Sequence, residues 1–156
     1  MARLSSELYH GTTIAIDGAG VLIAGPSGSG KSDLALRLID RGAQLVSDDQ
    51  TLLMRRGQSL VATSPGTIRG KMEVRGVGII EIPFVTDITL RLVVRLVDSY
   101  ERLPLSRQTE TLAGVAIDHV RLKAFEISAP LKVERALVAI LCQPLQQPSY
   151  KAPVSL

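Results

Sequence analysis

Short apolar runs separated by glycine-bearing turns dominate the chain. Residues 12–16 and 21–24 read as strands, with Asp17-Gly18 as the turn between them. From residue 32 to 41 the period lengthens. Leu34, Ala35, Leu38 and Ile39 recur at helical spacing, and Gly42 supplies the stop. Residues 44–47 predict the next strand, and 51–54 and 59–63 flank Arg55-Arg56-Gly57 as the arms of a hairpin. The clearest strand is 88–97, where Ile88, Leu90, Leu92, Val94 and Leu96 alternate with Thr89, Arg91, Val93 and Arg95. That alternation predicts one buried face and one half-wet face carrying solvated arginines. Residues 109–112 and 115–119 predict two further strands. Residues 131–142 predict a closing helix with Val133, Leu137, Ile140 and Leu141 as its apolar stripe. A strand-rich chain with few helices fits a mixed α/β fold. Residues 1–142 are expected to form one catalytic-size domain, and the proline-bearing tail 143–156 is expected to fray.

Composition narrows the function classes. With 156 residues one compact domain is the default, and roughly 70% of the unfolded surface can be buried without a disulfide or metal staple. Two Phe, three Tyr and no Trp make the core aliphatic. They also argue against single-stranded nucleic-acid binding through base stacking, which needs aromatic platforms. A net charge of +3 is too mild to predict a nucleic-acid partner but suits an anionic ligand. Cys142 is the sole cysteine, so disulfide frameworks and zinc clusters are excluded. Its apolar run, 136–142, predicts a small buried hydrophobe, with a redox or nucleophilic role as the alternative. No apolar stretch approaches the roughly 18 residues of a membrane span, and Met1 to His10 lacks a signal-peptide core. The expectation is a cytoplasmic protein with no membrane partner.

The element that carries chemistry is Gly25-Pro26-Ser27-Gly28-Ser29-Gly30-Lys31-Ser32, a full match to G-x-x-x-x-G-K-[ST]. A predicted strand precedes it and an amphipathic helix follows. In that context the loop amides and the helix N-terminus cradle phosphates, Lys31 reaches the β and γ phosphates, and the Ser32 hydroxyl ligates Mg²⁺. Average composition yields this pattern by chance in roughly one chain of this length in two hundred. By itself the loop leaves kinase, ATPase, GTPase and passive nucleotide sensor open, although the N-K-x-D motif of a GTPase is missing. Asp48-Asp49 follows the strand after the first helix, at the sheet edge where α/β proteins bind ligands. Phosphoryl transfer needs one carboxylate for Mg²⁺ and another for the nucleophile's proton. A solvated Asp-Asp turn is the plain alternative.

The segment Glu73-Val74-Arg75-Gly76-Val77-Gly78-Ile79-Ile80-Glu81-Ile82, with the phosphate loop, Asp48-Asp49 and the upstream His10-Gly11, resembles the bacterial HPr kinase/phosphorylase family. The resemblance runs from about His10 to Arg135. It implies a strand-rich P-loop fold of the HPr kinase and phosphoenolpyruvate carboxykinase-like type, and an enzyme using ATP and Mg²⁺ to phosphorylate a serine of the phosphocarrier HPr. It further implies Asp49 as general base, Ser32 and Glu73 as Mg²⁺ ligands with Asp48 in support, and His10, Lys31 and Arg102 in the catalytic set. A homo-oligomer is expected on the same ground. Without the resemblance, an ordinary strand-edge residue is the alternative for His10 and a surface arginine the alternative for Arg102; His119, with no motif around it, reads as structural.

Departures from the family pattern set further expectations. The loop's early position suggests a short form without the extra N-terminal domain of longer members. A chain that ends soon after residues 130–136 is expected to lack the family's C-terminal helices, which help to build a hexamer and contact HPr. Glu134 and Ala136 replace a family Gly and Asn in Pro130-Leu131-Lys132-Val133-Glu134-Arg135-Ala136. A carboxylate at 134 is expected to repel attacking phosphate, leaving phosphorolysis weak beside kinase activity. The competing readings are a small-molecule kinase of carboxykinase-like architecture and a non-catalytic nucleotide-sensing module.

Overall fold

The computed structural model describes residues 6–103 and 106–142. In chain order the elements are β1 (Ser6–His10), β2 (Thr12–Ile16), β3 (Ala19–Ala24), α1 (Lys31–Asp40), β4 (Gln44–Ser47), β5 (Gln50–Arg56) and β6 (Ser59–Thr63). A single 3-10 turn at Gly66–Ile68 leads to β7 (Lys71–Val74), β8 (Gly78–Glu81), β9 (Ile88–Leu96), β10 (Gln108–Leu112), β11 (Val115–Leu122) and α2 (Ala129–Cys142). Nine strands form one sheet in the order β1-β5-β6-β9-β3-β2-β4, with β11 also joining β9 and β10 joining β11; β7 and β8 form a separate hairpin. β9 runs parallel to β3 and β11, and the other pairings are antiparallel.

The mixed α/β fold follows from alternation in the central strands. On β3, Val21 and Ile23 face the helices, where they meet Leu34, Ala35 and Leu38 of α1 and Val133 and Leu137 of α2. Leu22 points the other way, into a second cluster with Leu53, Leu60 and Ala62 of β5 and β6 and Leu112, Val115 and Ile117. The chain therefore buries both faces of its central strands, as helices cover one side and the outer strands curl over the other. No helix among the described residues is long and apolar enough to cross a membrane.

Three expectations fail for identifiable reasons. The alternation of β9 is interrupted, since Gly20 pairs with Leu90 but Val21 with Leu92. The extra residue, Arg91, is a bulge that switches the face. Leu90 accordingly joins Val93 on the outer-strand side while Leu92, Val94 and Leu96 face the helices. Arg95 is not merely solvated, because its guanidinium ion-pairs with Glu110 and donates to the Tyr9 hydroxyl at 2.5 Å. Cys142 is exposed rather than buried. α2 is anchored by Ala129, Pro130, Val133 and Leu137, and its last turn, including Leu141, extends past the core. The tail 143–156 lies outside the described residues.

Candidate active site

The residues 25–30 bridge β3 and α1, which is the strand–loop–helix context the motif requires. Gly30 caps α1 with φ of 99° and no side-chain cap, so the first helical amides face the cleft. Lys31 is 7% exposed, and its ammonium donates to the carbonyls of Gly25 and Pro26 at 2.9 and 3.1 Å. The loop thus holds its cation inward. Around it opens a cleft of about 330 Å³ whose wall includes Ser27, Gly28, Ser32, Asp49, Glu73 and Arg75.

Asp48 and Asp49 are adjacent in sequence and opposite in environment. Asp48 is 7% exposed and accepts three hydrogen bonds. The Thr12 hydroxyl donates to Oδ1 at 3.1 Å, the Ser32 hydroxyl to the same oxygen at 2.7 Å, and the Glu73 amide to Oδ2 at 3.1 Å. One carboxylate thereby ties together β2, α1 and β7. Charge-assisted bonds of this kind are about twice as strong as neutral ones, which is how a buried carboxylate is tolerated.

Asp49 projects the other way and is 62% exposed. Its φ is +65°, and the Gln50 amide bonds back to the Asp48 carbonyl at 2.7 Å, which makes a γ-turn centred on Asp49. Such a left-handed non-glycine residue persists only where its surroundings fix it. Here the Asp49 amide donates to the Thr12 hydroxyl at 3.1 Å and its carbonyl accepts from the Gly11 amide at 2.8 Å. The turn aims the Asp49 carboxylate at His10, whose Nε2 lies 3.3 Å from Oδ1. Gly11 lies close against β3, where a Cβ would stand 2.8 Å from Leu22 Cδ1 and 3.0 Å from the Ile23 carbonyl oxygen. A buried hydroxyl pair holds the same junction: Thr51 donates to the Gly11 carbonyl at 3.0 Å, which leaves Thr13 as donor in the 2.8 Å Thr13–Thr51 contact.

His10, Lys31, Ser32, Asp48, Asp49 and Glu73 are therefore brought together. Arg102 is not. It is exposed in the segment after β9 and does not line the cleft, where the cation beside Glu73 is Arg75. Glu134 also lies away from its expected place. Its carboxylate pairs with Arg41 at 2.6 Å, at the C-terminal end of α1, whereas the phosphate loop lies at the N-terminal end. At 1.5 Å rise per residue those ends are about 15 Å apart, so the expected repulsion of phosphate has no basis. Thr12 and Phe125 were missed by the sequence reading. A hydroxyl two residues after His10 was the available signal for Thr12; nothing local marks Phe125.

The donor set suits Mg²⁺. Among the described residues no group of three or more His, Cys, Asp and Glu side chains could enclose an ion by itself. A hard cation that keeps waters and takes phosphate oxygens needs only one or two protein ligands. The Ser32 hydroxyl, with Asp48 behind it and Glu73 on the same wall, could provide them.

The chain is similar to known proteins over most of its length. Residues 2–141 match the family model described as HPr Serine kinase C-terminal domain. An HPr kinase/phosphorylase of Chlorobium limicola is 38% identical over 133 residues, covering 76% of this chain and 40% of that protein. One from Limosilactobacillus reuteri is 34% identical over 145 residues, covering 85% of this chain and 43% of its own length. The chain spans about two fifths of the length of these curated relatives. The solved HPr(Ser) kinase/phosphatase of Coxiella burnetii superposes with a TM-score of 0.74 at 31% identity, covering 85% of this chain and 88% of that one.

Proposed function

The chain belongs to the HPr serine kinase C-terminal domain family, and from that premise we propose that it is a Mg²⁺- and ATP-dependent protein kinase that phosphorylates a serine of an HPr-type phosphocarrier. The observation that carries this reading is the placement of Asp49. Its carboxylate stands in the cleft beside the phosphate loop with His10 Nε2 at 3.3 Å. A nucleotide sensor or ATP-shaped switch requires Lys31 and Ser32 but has no use for a carboxylate held in a strained turn at the mouth.

In the proposed reaction the serine oxygen attacks the γ-phosphorus, the bond to the β-bridging oxygen breaks, and ADP leaves. Asp49 takes the serine proton as that bond forms, and His10 holds the carboxylate's orientation through its 3.3 Å contact. Lys31, the α1 N-terminus and Arg75 stabilise charge on the transferring group. Arg75 takes the part that the family resemblance would assign to Arg102, since Arg75 lines the cleft. Ser32 and Glu73 would hold Mg²⁺, with Asp48 orienting the Ser32 hydroxyl, and the ion would supply positive charge against the phosphates. Thr12 serves both carboxylates at once, bonding the side chain of Asp48 and the amide of Asp49.

The test is incubation of the chain with γ-labelled ATP, Mg²⁺ and HPr. Label on an HPr serine is the expected result, lost when that serine is replaced by alanine. ATP binding with no transfer to HPr would overturn the kinase reading in favour of a sensor.

A further inference from the structure

Phe125 lies between β11 and α2 and is 71% exposed, one of only two phenylalanines in the chain. An exposed large aromatic is ordinarily unremarked. This one lines the phosphate-loop cleft and lies directly against Gly30. A Cβ on Gly30 would stand 2.8 Å from Phe125 Cζ and 2.9 Å from Ala124 Cβ.

The backbone on both sides of the ring is fixed from α1. The Arg37 guanidinium donates through Nη2 to the Ala124 carbonyl and through Nη1 to the Glu126 carbonyl at 3.2 Å, straddling Phe125. Arg37 is itself oriented by Asp33, one turn back on α1 and also on the cleft wall, with Nε to Oδ2 at 3.0 Å. The Glu126 side chain is held in turn by Lys132 at 2.6 Å and by the Tyr100 hydroxyl at 2.7 Å. Two carbonyls clamped by one guanidinium fix the backbone that carries the ring. The fold therefore holds an apolar ring in water at the rim of a polar cleft.

The stripes of α1 assign the two ends of the cleft. Ser32 and Leu36 share one stripe, and Ser32 bonds Asp48 on the side of Asp49 and Glu73. Asp33 and Arg37 share the next stripe, about 100° around the helix, and that stripe holds Phe125. A nucleotide with its γ-phosphate toward Asp49 would extend its nucleoside across the helix N-terminus toward Phe125.

We infer that Phe125 is the platform on which the nucleotide's base stacks, a specificity element of the cleft that rests on the proposed ATP site. A ring carried on a backbone fixed in advance leaves only its own side-chain torsions to be ordered when the base arrives. Stacking of a base on such a face is worth about 5- to 150-fold in affinity, equivalent to about 1–3 kcal/mol.

The test compares ATP with inorganic tripolyphosphate, which has the phosphates and no base, by calorimetry with Mg²⁺. Phe125→Ala is expected to weaken ATP about 5- to 150-fold and leave tripolyphosphate unchanged. The chain has no tryptophan, so Phe125→Trp places a single indole at the rim. Its emission is expected to be quenched by ATP and unaffected by tripolyphosphate. Unchanged ATP affinity in Phe125→Ala, an equal loss for both ligands, or an indole that responds alike to both would overturn the stacking role while leaving the nucleotide site intact. Failure of the unsubstituted chain to bind either ligand would overturn the nucleotide site itself, and the platform with it.

Discussion

Replacing Thr12 by valine removes one hydroxyl from the place where both carboxylates are held. Thr12 is fully buried, and valine has nearly its shape, so the change is confined to two hydrogen bonds. The first runs from Oγ1 to Asp48 Oδ1 at 3.1 Å, and the second from the Asp49 amide to Oγ1 at 3.1 Å. A bond to a charged group contributes about 1.5–3 kcal/mol, and a neutral one about 1. Asp48 keeps the Ser32 hydroxyl and the Glu73 amide, and the exposed Asp49 can draw on water, so the full sum is not reached. The expected loss of stability is about 2 kcal/mol, which for a chain of this size lowers Tm by about 4–8 °C. Asp49 also loses the bond that fixes its left-handed turn, so transfer to HPr should fall while ATP affinity changes little. Thr12→Ser, which keeps the hydroxyl, should restore transfer. Urea unfolding together with the labelled-phosphate assay reads both effects. Stability within about 0.5 kcal/mol of the unsubstituted chain, with undiminished transfer, would refute the claim that this hydroxyl holds the two carboxylates.

Lys31→Ala should abolish ATP binding or transfer, because the loop loses the only side-chain cation within it; calorimetry and labelled transfer that both stay unchanged would reject the phosphate-loop assignment. His119 carries a pH signature in stability. Burial, with smaller contributions from Arg121 and Arg95, holds its imidazole below the ordinary value of 6.5 despite the opposing pull of Glu110. The unfolded chain then protonates first, so stability is complete above about pH 6.5 and declines as pH falls. His119→Gln should reduce the difference in urea midpoint between pH 7.5 and pH 5.5, a window above the lowered carboxyl of Glu110. An equal difference in both proteins would contradict the assignment of that titration to His119.

Much of this architecture is written locally in the chain. Thr12–Ile16, Gln44–Ser47 and Ser59–Thr63 have the bounds that their apolar runs and flanking glycine turns predict. The phosphate loop is legible because its chemistry fixes both residue types and spacing. What escaped is set by partners distant in sequence. β1 is mostly exposed, with only Tyr9 partly covered, and exists as a strand because β5 pairs with it. The bulge at Arg91 depends on the register of β3, which no alternation within β9 can reveal. In the site, Asp48-Asp49 showed that two carboxylates were present but not that one is buried and the other displayed. That division comes from Thr12, 36 residues away, and from the turn at Asp49. Phe125 gains its meaning only from Arg37, whose bonds to the flanking carbonyls span 87 and 89 residues. The resemblance to HPr kinases suggested roles that spacing alone left open, but it assigned Arg102 to the catalytic set although Arg102 does not line the cleft, and it did not foresee that Glu134 pairs with Arg41.

The central claim is that Asp49 takes the proton from an HPr serine. Transfer of labelled phosphate from ATP to HPr, measured side by side for the unsubstituted chain and Asp49→Asn, tests it most directly. The amide keeps the size of the carboxylate and cannot accept the proton, and loss of a positioned base costs about 10²–10⁴-fold in rate. The account predicts a fall of that order in Asp49→Asn with ATP affinity preserved. Transfer at a near-normal rate by Asp49→Asn would contradict it, and would move the base to another group.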